Sequence, residues 1–342
     1  MKKITTFCII LIGINLSAQK TVNYTRATDY ELEKNLENIE LIRGFWKANK
    51  ETSYLSVLPF ITPIKKRRIP TIEGEGSTNI QLIEAFLNLS YPLFFGKLTN
   101  SKLISLEYTG NFRMTLDDSK PLTPGSHKIG FSLYNILSKK YSNKERGELR
   151  FVTSRIQIKH YSNGQSPGFH YIDPNDITNK RNAYLNGDFS TNFISFQVTK
   201  GVFRKPLGSL HQMSLVFTHD LGTENSTFAY SKEQENSYGR NRFQFIYDYR
   251  TKRWDKRYEH HYRFSTGYIL GNLNEFSPNL VNSSKKYRMN FKGLYEFAPK
   301  KHYSVGYFIS MFYGRDYLNI RYDDIIFSLQ AGITLSLDKF FL

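Results

Sequence analysis

The feature that most constrains the fold is an alternation of side-chain character with a period of two, which recurs from residue 53 to the end of the chain. It is clearest in the last segment, where an apolar row interleaves with a row of small or polar residues. The apolar row is Phe327, Leu329, Ala331, Ile333, Leu335 and Leu337, and the other is Ser328, Gln330, Gly332, Thr334 and Ser336. Because successive side chains of a β-strand point to opposite faces, this segment predicts a strand with one apolar face.

Twelve such segments follow one another, separated by polar, turn-rich stretches. They begin near residues 53, 80, 102, 127, 149, 188, 210, 240, 258, 285, 302 and 325. An even number of alternating segments of about ten residues is typical of outer-membrane barrels built from tilted antiparallel strands. We therefore predict an all-β protein, a 12-stranded antiparallel transmembrane β-barrel over residues 51–342. A polar segment at 19–50 precedes it, in which residues 29–42 could form a short helix in the periplasm or at the barrel mouth.

The N-terminus has the parts of a secretory signal peptide. Two lysines precede an apolar run from Phe7 to Ile14, and small residues follow up to Ala18. The apolar run is too short to span a membrane, so we expect an export signal at residues 1–18 that is cleaved after Ala18. The single cysteine, Cys8, lies within this segment. The mature chain is therefore expected to have no disulfide and no thiol chemistry.

Charge and hydropathy agree with an exported barrel. The net charge of +17 suits either nucleic acid or anionic lipid head groups, and export favours the lipid. We therefore predict no nucleic-acid partner and a location in the outer membrane of a Gram-negative bacterium. The mean hydropathy is only −0.47. This low value is compatible with a barrel, because barrel strands distribute their apolar residues in alternation.

A secreted soluble β-sandwich is the alternative fold, since its strands also alternate. However, apolar rows recur on nearly every segment here, and the opposite rows contain arginine, lysine, glutamate and glutamine. That distribution favours a barrel with a polar interior. Twelve strands enclose a narrow interior, which we predict to be filled by paired charges. The charges expected there are Glu107, Arg113, Arg150 and Asp248.

One segment ends its apolar row with two polar side chains. Read as a strand, residues 155–162 place Ile156, Ile158, His160 and Ser162 on one face and Arg155, Gln157, Lys159 and Tyr161 on the other. With a periplasmic N-terminus, this fifth strand runs outward, so His160 and Ser162 lie at its extracellular end. Polar side chains that face lipid are costly unless they have partners or a function.

The sixth segment, which runs back alongside the fifth, is expected to place a third polar side chain close to His160 and Ser162. Asn192 shares an apolar row with Ile194 and Phe196. A serine becomes nucleophilic when a neighbouring base takes its proton, and histidine titrates near neutrality. An asparagine carbonyl can orient the imidazole as aspartate does, without adding a charge beside lipid. The alternative is a polar cluster at head-group level with no catalytic role.

The run His160-Tyr161-Ser162-Asn163-Gly164-Gln165-Ser166 resembles the active-site motif of outer-membrane phospholipase A, a family of twelve-stranded barrel enzymes. The resemblance extends upstream through residues 88–94, 106–109 and 118–121. It covers roughly residues 53–200, and beyond them it is limited to strand number and pattern. It implies a serine ester hydrolase that cleaves acyl esters of glycerophospholipids in the outer leaflet.

The resemblance also implies the roles of individual residues. Ser162 would be the nucleophile, His160 the base and Asn192 the orienting residue. The backbone amide of Gly164 would help to stabilise the oxyanion. A calcium ion would polarise water nearby, with ligands from Gln165, from Ser166 and, across a calcium-linked homodimer, from Ser119.

Three alternatives remain open at this point. Asn182 or Asn186, in the long stretch 163–187, could take the orienting role of Asn192. A lipid A deacylase also uses a His-x-Ser-Asn run, although that family has eight strands. A barrel with a degenerate site could instead serve adhesion or solute passage. The other histidines are scattered and are expected in the lumen or in loops, not as metal ligands: His211, His219, His260, His261 and His302.

Overall fold

The computed structural model describes residues 39, 41–65, 81–95, 102–115, 125–143, 147–163, 190–204, 208–221, 238–251, 258–271, 288–299, 305–318 and 325–335. These residues form one antiparallel sheet that closes on itself. Its segments are β1 (Ser53–Val57), β2 (Phe60–Lys65), β3 (Gln81–Phe95), β4 (Lys102–Thr115), β5 (Ser126–Asn143), β6 (Glu148–Ser162), β7 (Ser190–Arg204), β8 (Ser209–Asp220), β9 (Asn241–Thr251), β10 (Tyr258–Leu270), β11 (Met289–Pro299), β12 (Val305–Arg315) and β13 (Ile325–Leu335).

The barrel closes through β1 and β2, which are two halves of one strand position. Both pair with β13, β1 near its C-terminal end and β2 near its N-terminal end. The chain bends between them at Leu58, whose φ of 52° is unusual for a residue with a side chain. Thirteen segments therefore occupy twelve strand positions, and the predicted twelve-stranded antiparallel barrel is confirmed. The sequence pattern did not reveal the bend.

The apolar rows lie on the outside of the barrel and the polar rows on the inside. Ile158 and Ile309 are 56% and 53% exposed, whereas Ser105, Thr153 and Thr199 are fully buried. This is the reverse of a soluble sandwich, whose apolar rows face one another across a core. The apolar rows thus face outward and the polar rows inward, as expected of a barrel with a polar interior.

Buried charges fill the lumen in matched groups. Glu107 accepts from Arg155 and Lys159, each at 2.7 Å, and from the Tyr134 hydroxyl at 2.7 Å. Farther along the lumen, Asp248 accepts from Arg263 at 2.7 Å. Buried ions are stable only when paired and hydrogen-bonded, and each of these carboxylates has several donors.

Arg113 is likewise buried, between Glu84 at 3.0 Å and Asp316 at 3.4 Å. The prediction for Arg150 is wrong. Its side chain is 61% exposed and pairs with Glu148 at the start of β6, because position 150 belongs to the outward row of that strand.

A helix over residues 41–48 lies inside the barrel, and not at its mouth or beyond it. Ile42, Phe45 and Trp46 form its apolar face, at the i, i+3, i+4 spacing of a helix, and pack with Leu103 and Tyr134 in one buried cluster. Trp46 Nε1 donates to Ser90 Oγ at 2.9 Å. The earlier part of the predicted helix, residues 29–38, lies outside the described residues. Within the described ranges, no helix is both long enough and apolar enough to cross a membrane.

The two rims of the barrel differ in the length of their connections. At the rim where β6 ends and β7 begins, here called the site rim, the connections between strands are long, and they span residues 66–80, 116–125, 163–189, 221–240, 271–288 and 316–324. At the opposite rim they are short, and they span residues 96–101, 144–147, 205–208, 252–257 and 300–304. The polar side chains identified from the sequence lie at the rim with the long connections.

Candidate functional site

The candidate site is set by the pairing of β6 with β7. Their register runs without a bulge from Glu148 opposite Arg204 to Ser162 opposite Ser190, and it places His160 directly opposite Asn192. Directly opposed residues have Cβ atoms about 5 Å apart on one face of the sheet. The predicted approach of His160 and Asn192 therefore follows from the strand register alone.

The two side chains meet through a hydrogen bond. His160 Nδ1 lies 3.1 Å from Asn192 Oδ1. An amide oxygen can only accept, so this contact puts the proton on Nδ1 and makes Nε2 the basic nitrogen of the neutral imidazole. That tautomer is the one that a histidine needs to take a proton from a nucleophile.

Ser162 follows His160 on the same outward row, two residues closer to the site rim. Its cross-strand partners are Ser190 on β7 and His127 on β5. Ile129 lies level with His160, Ile158 and Ile194 lie one outward row farther from the site rim, and all three are exposed. The polar site thus stands at the edge of an apolar band.

Inward-facing neighbours anchor the backbone on both sides of His160. Lys159 binds Glu107 in the lumen. The Tyr161 hydroxyl accepts from Ser126 Oγ at 2.8 Å, and the Lys128 ammonium lies over its ring, 4.5 Å from the centroid. Because these alternate residues are held inside the barrel, the backbone is fixed in the register that places His160 and Ser162 on the outward face.

Asn192 is anchored in the same way. Its neighbour Thr191 is fully buried and donates to Asp220 Oδ1 at 3.3 Å, and Asp220 also binds Arg242. The backbone carbonyl of Asn192 accepts from the Leu221 amide at 2.6 Å. These contacts place the amide side chain of Asn192 on the outward face.

Several predicted site residues lie outside the described residues: Gly164, Ser119, Gln165, Ser166, Asn182 and Asn186. Their predicted roles in oxyanion binding, calcium binding and imidazole orientation stay predictions. Across the described ranges, no group of three or more histidine, cysteine, aspartate or glutamate side chains is arranged to hold a metal ion.

A second histidine beside Ser162 was missed in the sequence. His127 faces outward near the start of β5, and its Nδ1 lies 2.8 Å from the Tyr108 hydroxyl on β4. Position 127 coincides with the predicted start of a strand, so its face could not be assigned with the same clarity as that of His160. Residues two apart in a strand face the same side, so the apolar Ile129 could have identified His127 as an outward-facing residue.

The expectation that the remaining histidines lie in the lumen or in loops is wrong for three of them. His211, His219 and His260 lie within strands on the outward rows, where their Nδ1 atoms contact Tyr247, Asn241 and Tyr295, respectively. Each is thus held by a polar partner on the neighbouring strand. The prediction is confirmed for His261, which is buried in the lumen between Asp248 and Glu296, and His302 lies outside the described residues.

Comparison with known proteins relates the chain to others by structure only. No protein-family model matches it, and no curated protein matches it either. Among solved structures, outer membrane phospholipase A from Escherichia coli gives a TM-score of 0.54 at 13% identity, covering 87% of this chain and 98% of that one.

Two further solved structures are similar. The outer membrane phospholipase dimer from Salmonella typhi with bound calcium gives a TM-score of 0.51 at 14% identity, over 84% of this chain and 90% of that one. An asparagine-to-alanine active-site mutant of the Escherichia coli protein gives 0.52 at 13% identity, with the same coverage. At this level of identity, the similarity shows that the chain has the barrel fold of these structures.

Proposed function

We propose that the chain is an outer-membrane phospholipase A that hydrolyses acyl esters of glycerophospholipids. The observation that supports this most directly is the hydrogen bond between His160 and Asn192 on the outward face, with Ser162 next on the same row. A serine, a histidine in the productive tautomer and an orienting amide are the parts of a serine hydrolase.

The surroundings of the site favour a lipid substrate. The barrel presents apolar rows outward, as a transmembrane barrel does to lipid, and its long connections lie at the site rim. In outer-membrane barrels the long loops are extracellular and the turns at the periplasmic end are short. The site would then stand at the outer leaflet, where the exposed side chains of Ile129, Ile158 and Ile194 lie beside an acyl chain.

The proposed reaction uses this geometry in two steps. His160 Nε2 takes the proton of the Ser162 hydroxyl as Oγ attacks the ester carbonyl carbon. The tetrahedral intermediate collapses, the ester C–O bond breaks, and the imidazolium gives its proton to the departing alcohol. Water, activated by the same nitrogen, then releases the fatty acid from Ser162. Asn192 keeps the proton on Nδ1 throughout and stabilises the positive imidazolium.

Oxyanion stabilisation, calcium and dimer formation belong to the proposal as well. The Gly164 amide is proposed as an oxyanion donor, and Ser119, Gln165 and Ser166 as calcium ligands. Bound calcium would supply positive charge close to the developing oxyanion. A structurally similar protein is a calcium-bound dimer. We propose the same assembly for this chain, with Ser119 contributed by the second copy.

Fatty-acid release from a defined phosphatidylcholine in mixed micelles tests the proposal. The wild-type barrel should release fatty acid, and Ser162→Ala should abolish release while keeping the heat-modifiable mobility of a folded barrel. Equal turnover by the variant would overturn the assignment. Release from lipid A but not from phospholipid would favour a lipid A deacylase, and release from neither would favour a non-catalytic barrel.

A further inference from the structure

We infer that His127, held by Tyr108, is a substrate-binding residue that contacts the phosphate of the glycerophospholipid. This inference rests on the proposed function and adds a residue to its site. His127 lies on the opposite side of β6 from Asn192, so that Ser162 stands between the two flanking strands.

The position of His127 follows from the pairing of β5 with β6. Its Cα is the cross-strand partner of that of Ser162, and both side chains face outward. Neighbouring strands lie about 4.8 Å apart, so His127 stands one strand spacing from the serine, with its imidazole turned toward Tyr108 and Phe112 on β4. Only the glycerol backbone separates the phosphate of a phospholipid from its ester carbonyls. A group that binds the phosphate must therefore stand as close to the nucleophile as His127 does.

Two aromatic rings hold the imidazole in place. The Tyr108 ring lies nearly parallel to it, at an interplanar angle of 24° and a centroid distance of 6.0 Å. The Phe112 ring meets it edge-on at 5.5 Å. The Tyr108 hydroxyl contacts Nδ1 at 2.8 Å, which leaves Nε2 as the outer nitrogen of the ring.

The outer nitrogen is directed along the surface toward the site rim. A Cβ atom added to Gly125 would lie 2.6 Å from His127 Nε2 and 2.9 Å from the Phe112 ring. The glycine therefore provides the space that the imidazole occupies. Within the described part of the chain, Nε2 of His127 makes no hydrogen bond.

A tyrosine hydroxyl can donate as well as accept, so the Tyr108 contact is compatible with the tautomer of the neutral imidazole that carries its proton on Nε2. An N–H that points to the head-group level can donate to an anionic phosphate oxygen, and such charge-assisted bonds are stronger than neutral ones. His160 differs in this respect, because its Asn192 contact makes Nε2 an acceptor. In that tautomer the two histidines present opposite hydrogen-bonding groups, a donor at His127 and an acceptor at His160.

Other histidine–tyrosine pairs on the barrel show that the pairing alone does not make a site. His211 contacts Tyr247 at 3.0 Å, and His260 contacts Tyr295 at 3.0 Å, both on the outward face near the opposite rim. They belong to an aromatic belt of stacked rings that is typical of a membrane interface. What distinguishes His127 is its position beside Ser162, and His211 offers a control with the same chemistry elsewhere.

The test compares two substrates, one of which lacks the phosphocholine head group. His127→Phe, which keeps an aromatic ring but removes the donor, and the control His211→Phe are assayed in the full-length barrel on a phosphatidylcholine and on the diacylglycerol with the same acyl chains. We expect His127→Phe to lower kcat/KM for the phospholipid about tenfold, mainly through KM, since one charge-assisted hydrogen bond is lost. Hydrolysis of the diacylglycerol should be unchanged, and the control should match the wild type on both substrates.

Binding gives a readout that does not need turnover. In the Ser162→Ala background, adding His127→Phe should weaken the binding of a short-chain phosphatidylcholine about tenfold. Inorganic phosphate should not displace that lipid at equal concentration, because it lacks the glycerol and the acyl chains. If it does, the site takes a free anion and the assignment to substrate is overturned.

Equal losses on both substrates would show that His127 supports catalysis or folding instead of phosphate binding. Unchanged values on both would exclude it from the site. A wild-type barrel that hydrolyses no ester would overturn the proposed function itself, which is a different result from a change confined to His127.

Discussion

His160 and Asn192 face each other across the β6–β7 pairing, with Nδ1 and Oδ1 3.1 Å apart on the outer surface of the barrel. The contact joins a titratable ring to an uncharged acceptor. An aspartate at position 192 would make the same hydrogen bond, but it would add a charge where the proposed environment is lipid. Asn192 therefore fixes the tautomer of His160 and, because it is uncharged, costs less free energy to place beside lipid than an aspartate would.

Replacing Asn192 tests its orienting role. Asn192→Ala should lower kcat on the order of a hundredfold with little change in KM, because the lost contact matters mainly when the imidazolium forms. Asn192→Asp should keep more activity than Asn192→Ala. Steady-state kinetics on phosphatidylcholine would measure both. Full activity of Asn192→Ala, with loss in Asn182→Ala or Asn186→Ala, would move the role to the long connection.

Removal of metal is the second test. If calcium binds as proposed, excess chelator should abolish fatty-acid release and added calcium should restore it, whereas magnesium should not. Calcium accepts six to eight oxygen ligands in flexible geometry, which hydroxyl and carbonyl groups of Ser119, Gln165 and Ser166 can supply. Activity that persists in chelator would exclude the ion from the mechanism.

The buried ion pairs make a prediction about stability. Glu107→Ala leaves Arg155 and Lys159 without their shared carboxylate in the lumen, which should destabilise the barrel by about 3–5 kcal/mol. Unfolding by guanidinium in lipid vesicles would measure the change. Glu148→Ala is the matched control, because its partner Arg150 is largely exposed. Its effect should be about 0–1 kcal/mol, and similar losses in both variants would contradict the account.

The helix inside the barrel predicts a closed lumen. Phe45 is 2% exposed and packs edge-on against Tyr134 at 5.6 Å, so Phe45→Asp should expel the helix and raise the conductance in planar bilayers. Gly44→Asp adds the same charge on the same helix, where a Cβ meets nothing within 4 Å. That control should leave the conductance at its low wild-type level. If the conductance of the Phe45→Asp barrel is as low as that of the wild type, other residues close the lumen.

The parts of the fold that depend on a period of two were predictable from the sequence. Alternation alone placed Ile158, His160 and Ser162 outward and Lys159 inward. The prediction for Arg150 was wrong because it rested on the charge of the side chain. It did not consider that residues 150 and 156 lie on the same, outward face of the strand. The bend at Leu58 and the position of the helix depend on contacts between distant segments, such as Trp46 with Ser90, and no local pattern encodes them.

The bulge-free register between β6 and β7 also links the proposed chemistry to assembly of the barrel. A slip of one residue would turn Asn192 toward the lumen and present Thr191 or Phe193 to His160, depending on its direction, because successive residues of a strand face opposite sides. A chain in which β6 and β7 have not yet paired in this register therefore lacks the proposed arrangement of Ser162, His160 and Asn192. If the chain is the proposed hydrolase, its activity depends on correct strand alignment, and phospholipid hydrolysis would therefore begin only after the barrel has assembled.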